Sequence, residues 1–338
     1  MREPLKLADA TILAAVHEHY GIAIRALTFL PIGADTASSA YRIDASDGAA
    51  YFLKVRADAW FSVPSLVVPQ YLHDRGVPHI VAPLLTMART LWVSVRDFAL
   101  SLYPLLDARP AVEVGLSEEH WHALGTTIQQ IHASQLPPAV RQIVGRETFV
   151  PSRRDVITHV EAVITGAALE DPVQRELAAF WHARQDDICA VVNQADALGE
   201  QVRQASLPLV LCHADLHTWN VLLDTAQQIW LVDWDETVFA PKERDLMFVI
   251  GGIGRDLVSP RETACFLRGY GDAAIDAKAL AYYRYAWAAQ DMGAYAEQIL
   301  FAPDVSATAR RDALDSFMGI FAPGNIVAIA RAWEGAAA

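Results

Sequence analysis

The 338-residue sequence is short of cysteine, of basic charge and of long apolar runs. Its three cysteines, Cys189, Cys212 and Cys265, are odd in number and far apart, with no C-x-x-C. That excludes a disulfide framework and a zinc ribbon, and it fits reduced thiols in a cytosol. Lysine and arginine total 27 against 40 aspartate and glutamate, a net charge of −13. Nucleic acid and anionic membrane both demand a basic face, so neither is expected as a partner. The N-terminus, M-R-E-P-L-K, has no signal-peptide apolar run. The uncharged stretch from Phe317 to Ala330 contains Pro323 and Gly324 and is too short to span a bilayer. A soluble, cytoplasmic, monomeric protein is expected.

Apolar residues make up 53% and charged residues 20%, which rules out a disordered or low-complexity chain. The length suits two structural units better than one core. Residues 1–100 hold nine basic and nine acidic side chains, whereas residues 101–338 hold 18 and 31. The acidic surplus therefore lies wholly in the second part, which would attract a cation; plain solvation explains it equally well.

The first hundred residues read as a helix (Leu7 to Tyr20) and then strands over Ile22–Pro31, Ala40–Asp44 and Ala50–Val55. Asp47-Gly48 marks a hairpin. Pro64 opens a helix that stops at Gly76, and Thr90–Arg96 and Phe98–Leu102 are further strands. Pro104 to Pro110 reads as a boundary. Beyond it helices dominate: one from Ser117 through Ile131, and two over residues 153–204 broken near Asp171-Pro172. Short β segments at Leu207–Leu211, Val221–Leu223 and Gln228–Val232 interrupt them, and helices resume from Lys242.

The chemistry concentrates in L-C-H-A-D-L-H-T-W-N-V-L-L, residues 211–223, and I-W-L-V-D-W-D-E, residues 229–236. Phosphoryl transfer needs one carboxylate to orient an acceptor hydroxyl and take its proton. It also needs an amide and a second carboxylate to hold a divalent cation against phosphates. Asp215, Asn220 and the strand-ending Asp233 supply that set. The spacing of Cys212, His213, Asp215 and His217 also suits a zinc site, though that reading leaves Asn220 and Asp233 without a role. Asp215 and Asn220 alone would be explained by turn capping, but His213 before them and the apolar strand with Asp233 after them favour the phosphoryl-transfer set. Lys54 lies inside the apolar strand Tyr51-Phe52-Leu53-Lys54-Val55, an expensive place for a cation unless phosphates or another anion meet it. An edge-strand lysine facing solvent is the plain alternative. In Gly33-Ala34-Asp35-Thr36-Ala37-Ser38, Gly33, Thr36 and Ser38 could approach phosphates, although the run is neither a Walker loop nor a G-x-G-x-x-G. An ordinary hairpin turn explains it nearly as well.

Together these residues resemble the aminoglycoside phosphotransferases, antibiotic kinases of the protein-kinase-like fold. H-A-D-L-H-T-W-N is similar to that family's catalytic loop, and L-V-D-W-D-E to its metal-binding strand end. The run A-P-K-E-R-D-L-M-F-V-I-G-G-I-G (240–254), Y-Y-R (282–284) and Gly33-Ala34-Asp35-Thr36 resemble its spectinomycin-modifying branch. The resemblance implies an α+β, two-lobed fold with the active site in the cleft. Residues 1–103 would form a small antiparallel nucleotide-binding lobe. Residues 104–338 would form a larger, mainly helical catalytic lobe, with substrate-binding helices near 135–205 and 270–338.

The resemblance further implies ATP or GTP with Mg²⁺ as cofactors, and a small cationic acceptor. Asp215 would be the catalytic carboxylate, Asn220 and Asp233 the Mg²⁺ ligands, Lys54 the phosphate anchor and His213 a loop-shaping residue. Adenine would meet the backbone near Ser101–Leu105, with Leu102 or Tyr103 by the base. Asp235 and Glu236 would hold the drug's ammonium groups. Trp219, Tyr283, Asp291 and Tyr295 would line the acceptor side, helix packing being the plainer role for Tyr283 and Tyr295. One departure stands out. The family pairs its strand lysine with a helix glutamate, and Val63 occupies the matching place here. The expected function is phosphorylation of an aminocyclitol or aminoglycoside hydroxyl, most readily of spectinomycin, giving resistance. A metabolite kinase or a non-catalytic nucleotide-binding protein are the alternatives.

Overall fold

The computed structural model describes residues 4–33, 37–166, 169–254, 257–272, 274–302 and 305–332. The chain begins α1 (Asp9–Tyr20), β1 (Ile24–Leu30), β2 (Ser38–Ala45), β3 (Ala50–Ala57), α2 (Pro64–Asp74), β4 (Val93–Val95), β5 (Phe98–Pro104) and β6 (Ala108–Pro110). It continues α3 (Ala111–Val114), α4 (Glu118–Ala133), α5 (Pro138–Ile143), β7 (Gly145–Arg146), α6 (Arg154–Gly166), α7 (Pro172–Ala183) and α8 (Gln185–Ala205). Four short strands follow: β8 (Val210–Cys212), β9 (Val221–Asp224), β10 (Ile229–Leu231) and β11 (Val238–Ala240). The chain ends α9 (Glu243–Leu246), α10 (Pro260–Tyr270), α11 (Ala277–Leu300), α12 (Ala307–Gly319) and α13 (Ile326–Ala332). Two compact units result. One comprises Met1–His120, Ala133–Gly145 and Thr218–Thr237; the other comprises Trp121–His132, Arg146–His217 and Val238–Ala338.

The first unit is built on a five-stranded antiparallel sheet of order β1-β2-β3-β5-β4. The Asp47-Gly48 hairpin forms as its sequence demands, with Gly48 at φ +91° and the Asp47 carboxylate accepting the Ala49 N–H. Ile12 and Val16 of α1 join Tyr41, Ile43, Leu53, Val55, Leu100 and Leu102 in one buried cluster. Successive strand residues face opposite ways, so burying Leu53 and Val55 turns Lys54 and Arg56 to the other face. A second sheet, β6-β9-β10, is extended at one edge by a parallel bridge between Ile80 and Leu231. Strand β6 arises within the segment that reads as a boundary. Its Pro110 ends the strand, where a missing N–H is tolerated.

The second unit is helical. Helix α11 is buried on most of its surface and packs on α6, α7, α8, α12 and α13. The rings of Trp181 and Phe317 stack at 5.7 Å in its core. Helices α4 and α10 approach backbone to backbone at Gly125 and Gly269. A Cβ on either glycine would run into the carbonyl of Phe266 or of His122. Residues 153–204 form three helices where two are expected. The additional break, at Arg184, has no proline or glycine to mark it. Strands β8 and β11 pair antiparallel; β11 is too short to show a strand period in sequence. The fold is thus α+β, with a small antiparallel sheet in one unit and helices in the other. No helix among the described residues is long and apolar enough to cross a membrane.

Candidate active site

In the first unit a charged cluster forms where β3 meets the residues after β10. Lys54 Nζ donates to Asp233 Oδ1 at 3.0 Å and to Asp235 Oδ2 at 2.7 Å. Arg56 reaches the same Asp235 oxygen through Nη1, and its Nε donates to the Trp60 carbonyl at 2.7 Å. Burial works to lower the Lys54 pKa, but the two carboxylates outweigh it and the ammonium is held charged. Burial would also raise Asp235, yet Lys54 and Arg56 pull it down to about 2. Asp233 moves the other way: desolvation, with Asp235 beside it, raises its pKa against the pull of Lys54.

The β9–β10 hairpin sets Asn220 beside this cluster. Val221 pairs with Leu231, and the Val232 N–H donates to the Asn220 carbonyl at 3.1 Å, one residue before Asp233. The backbone turns sharply there, with Asp233 at φ +64°, a left-handed conformation uncommon outside glycine. Asn220 is buried, whereas the Asp233 side chain is 44% exposed. An amide oxygen and an accessible carboxylate at one hairpin end are hard oxygen donors of the kind Mg²⁺ takes while keeping waters and phosphates as its other ligands. The residues present fit such an ion.

In the second unit the segment His213–His217 is anchored on Asp245. The His213 N–H donates to Asp245 Oδ2 at 3.0 Å, and the Ala214 N–H to Oδ1 at 2.6 Å. His132 Nε2 lies 2.9 Å from Oδ2, and its Nδ1 lies 2.7 Å from the Tyr270 hydroxyl. A carboxylate only accepts, so Nε2 carries a hydrogen. Ala214 stands at φ +68°, a strained turn that those two backbone bonds hold. His213 folds back so that its Nδ1 accepts the Asp215 N–H at 3.3 Å, a loop-shaping arrangement.

Asp215 emerges from this loop with His217 Nε2 at 3.3 Å from its Oδ1. Burial pushes the Asp215 pKa up, but the His217 hydrogen bond and the fields of His217, His213 and Arg244 bring it below the ordinary value. Asp291 of α11 responds oppositely. Burial and the Asp215 charge push it up to about 7, with His217 opposing. The ring of His217 meets Phe248 at 6.1 Å, and Phe248 meets Trp287, one helical turn before Asp291, at 5.0 Å.

Several sequence expectations change against this geometry. Leu102 does not share the Lys54 face: its side chain lies in the core cluster and its carbonyl accepts the Leu84 N–H. Tyr103 is the member of that pair on the Lys54 side, where its phenol is pushed up to about 12 by burial. Asp235, expected at ammonium groups of an acceptor, is engaged by Lys54 and Arg56. Tyr283 is 1% exposed and packs under the Arg244 guanidinium at 5.7 Å, so it is core and not lining. Tyr295 and Asp291 are partly buried; Glu236 and Trp219 are exposed. Gly33 stands at φ +79° in its turn, and Ser38 lies opposite Arg56 in the β2–β3 ladder. Thr36 lies outside the described residues.

Among the described residues one trio of metal-ligand atoms lies within 4.8 Å of one another: His132, Cys212 and Asp245. Two of its members are the loop anchors above. The grouping Cys212, His213, Asp215 and His217 is not assembled as a ligand set, because His213 turns its ring to the loop backbone. Sequence reasoning missed Arg56, Asp245, His132 and Arg244. Only Arg56 carried a signal, standing two residues past Lys54 on the same strand face.

Residues 28–288 match the phosphotransferase enzyme family, APH. The chain belongs to that family. A crystal structure of a spectinomycin phosphotransferase, in complex with ADP and spectinomycin, is 29% identical with a TM-score of 0.87, covering 97% of this chain and 99% of that one. An amicoumacin kinase in complex with AMP-PNP and Ca²⁺ is 17% identical with a TM-score of 0.65, covering 95% of each chain. A choline kinase from Streptococcus pneumoniae is 13% identical with a TM-score of 0.58, covering 92% of this chain and 98% of that one. The last two show the shared fold. No curated protein matches the chain. As a family member the chain is a kinase-like phosphotransferase, and the departure at Val63 now has a structural counterpart. Helix α2 presents no acid before Asp74, which accepts from Gln70 at 2.8 Å, while Lys54 is met by Asp233 and Asp235.

Proposed function

We propose that this phosphotransferase moves the terminal phosphoryl group of ATP or GTP to a hydroxyl of a small cationic aminocyclitol or aminoglycoside, with spectinomycin as the first acceptor to test. The observation that carries the reading is Asp215, a carboxylate on a strained loop whose anchor, Asp245, is wholly buried and whose charge is kept by its neighbours. The spectinomycin phosphotransferase with which the chain shares 29% identity over nearly its whole length supports the acceptor class.

In this reading Asp215 accepts the proton of the acceptor hydroxyl and orients its oxygen, and His217 fixes which carboxylate oxygen is presented. Such assistance is worth roughly 10² to 10⁴ in rate. Asn220 and Asp233 hold Mg²⁺, which supplies charge neutralisation for the phosphates when bound. Lys54 holds α/β-phosphate oxygens, with Gly33 and Ser38 on neighbouring backbone and Tyr103 on the base side. Asp291 and Tyr295 face an ammonium group of the acceptor. A coupled assay of nucleoside-diphosphate release, with Mg²⁺ and a panel of spectinomycin, aminoglycosides and choline, tests this reading. Release driven by spectinomycin supports it. Release driven only by choline would reassign the protein as a metabolite kinase, and nucleotide binding without release from any acceptor would leave a non-catalytic binder.

A further inference from the structure

We infer that Asp235 is the positioning carboxylate for Lys54 and that Arg56 holds Asp235 in that role, so the work done elsewhere in the family by a helix glutamate is supplied from the strand-end loop. This rests on the nucleotide-binding reading above and adds a residue assignment to it. A lysine rising from an apolar strand needs an anion to fix it, and α2 provides none. Two carboxylates reach Lys54, and they differ in how they are held. Asp233 meets Lys54 through one oxygen at 3.0 Å, is 44% exposed, and belongs to the hairpin end that suits a divalent cation. Asp235 is 18% exposed, and one of its oxygens accepts from Lys54 at 2.7 Å and from Arg56 as well. Arg56 in turn is fixed by its Nε on the Trp60 carbonyl.

Charge decides between the two carboxylates. Lys54 and Arg56 share one face of β3, two residues apart, and without Asp235 the two cations would stand side by side there with no carboxylate bridging them. With it, one bridging carboxylate serves both, and Asp233 can give up its lysine contact for a metal ion while Asp235 still holds Lys54. The arginine is the better second cation, since its guanidinium can bond a carbonyl and a carboxylate at once.

The test is a double-mutant cycle on the whole protein, Lys54→Ala with Asp235→Asn. The readouts are turnover and the Mg²⁺ concentration that half-saturates AMP-PNP binding in calorimetry. A residue acting through Lys54 gives a non-additive cycle. Asp235→Asn should lower kcat by about tenfold or more with Lys54 present, and by less than about twofold once Lys54 is alanine. The half-saturating Mg²⁺ should stay within about twofold of wild type, because Asp235 is not a metal ligand in this assignment. Arg56→Gln should reproduce the kcat loss in part, while Arg56→Lys, which keeps the charge but not the paired carbonyl and carboxylate bonds, should lose less than Arg56→Gln. The arginine pair carries the test if Asp235→Asn does not fold. Additive losses in the cycle, or a rise of about tenfold or more in half-saturating Mg²⁺, would overturn the assignment. Wild-type protein that fails to bind AMP-PNP at all would instead sink the nucleotide-binding reading on which it stands.

Discussion

Replacing Asp245 removes the acceptor on which the His213–His217 loop hangs. Its carboxylate, with no exposed surface, takes the N–H groups of His213 and Ala214 and the Nε2–H of His132. In Asp245→Ala three buried donors lose their partner, each at roughly 1–3 kcal/mol. Partial relaxation brings the total nearer the roughly 3–5 kcal/mol of a broken buried ionic network. At about 2–4 °C per kcal/mol for a unit of this size, the melting temperature falls by roughly 6–20 °C. Asp245→Asn is the sharper variant, since it keeps one acceptor oxygen and places an amide donor against a backbone donor. Its stability loss should be about half, but Ala214 is no longer held at φ +68° and Asp215 moves with it. A displacement of that order costs about 10²-fold in turnover. Nucleotide affinity should change by less than about threefold, because Lys54 and the proposed metal ligands Asn220 and Asp233 belong to the other unit. The assay is a melt, calorimetry with AMP-PNP, and nucleoside-diphosphate release. A variant melting within about 2 °C of wild type and turning over within about threefold would refute the claim that Asp245 holds the loop.

Other outcomes follow from the same geometry. Asp215→Asn should lower kcat by roughly 10²-fold or more while AMP-PNP still binds; wild-type turnover in that variant would remove Asp215 from the chemistry. Asp291, raised to about 7 in the fold from an ordinary 3.8, holds a proton that the unfolded chain releases. Its contribution is therefore harmless below pH 4 and increasingly destabilising as pH rises towards 7. Asp291→Asn should melt above wild type at pH 8, with the gap smaller at pH 5 and closed only below about pH 4, and it should raise the acceptor KM more than it lowers kcat. An equal gap at both pH values would contradict the shift. Gly125→Ala should destabilise by roughly 1–3 kcal/mol, since its Cβ meets the Phe266 carbonyl in α10, and a melting point unchanged from wild type would mean the helices can part there without cost.

The sequence was most legible where chemistry and local pattern coincide. Asp215, Asn220 and Asp233 stood out by spacing, and the Asp47-Gly48 hairpin by turn chemistry. Lys54 stood out as a charge in an apolar strand. It was least legible where a partner comes from far along the chain. His132 and Asp245 are 113 residues apart, and nothing local marks either as a loop anchor. Leu102 and Tyr103 differ by one residue and so face opposite ways, a distinction that turns on register and not on composition. Arg56 looks like a solvated strand-edge arginine until Asp235 is found beside it. The break at Arg184 and the three residues of β11 lack any signal at all, since tertiary packing sets both.

Each unit also sorts its carboxylates by environment, and the sorting separates structure from chemistry. Asp245 is sealed and fully hydrogen-bonded, so it can hold a backbone but cannot meet a substrate. Asp235 is almost as firmly tied, bridging two cations at low pKa. Asp233 is exposed and shifted upward by burial and by Asp235 beside it, and only its lysine contact would have to give way to a metal ion. Asp215 and Asp291 form the corresponding pair in the helical unit: the charge on Asp215 helps to push Asp291 towards neutrality. Environments that drive neighbouring carboxyls apart are how a protein assigns acid and base roles near neutral pH. His217 already opposes the Asp291 shift, and a second positive charge brought beside Asp291 would pull its pKa down further and release a proton, so the protonation of Asp291 reports on charge arriving next to Asp215.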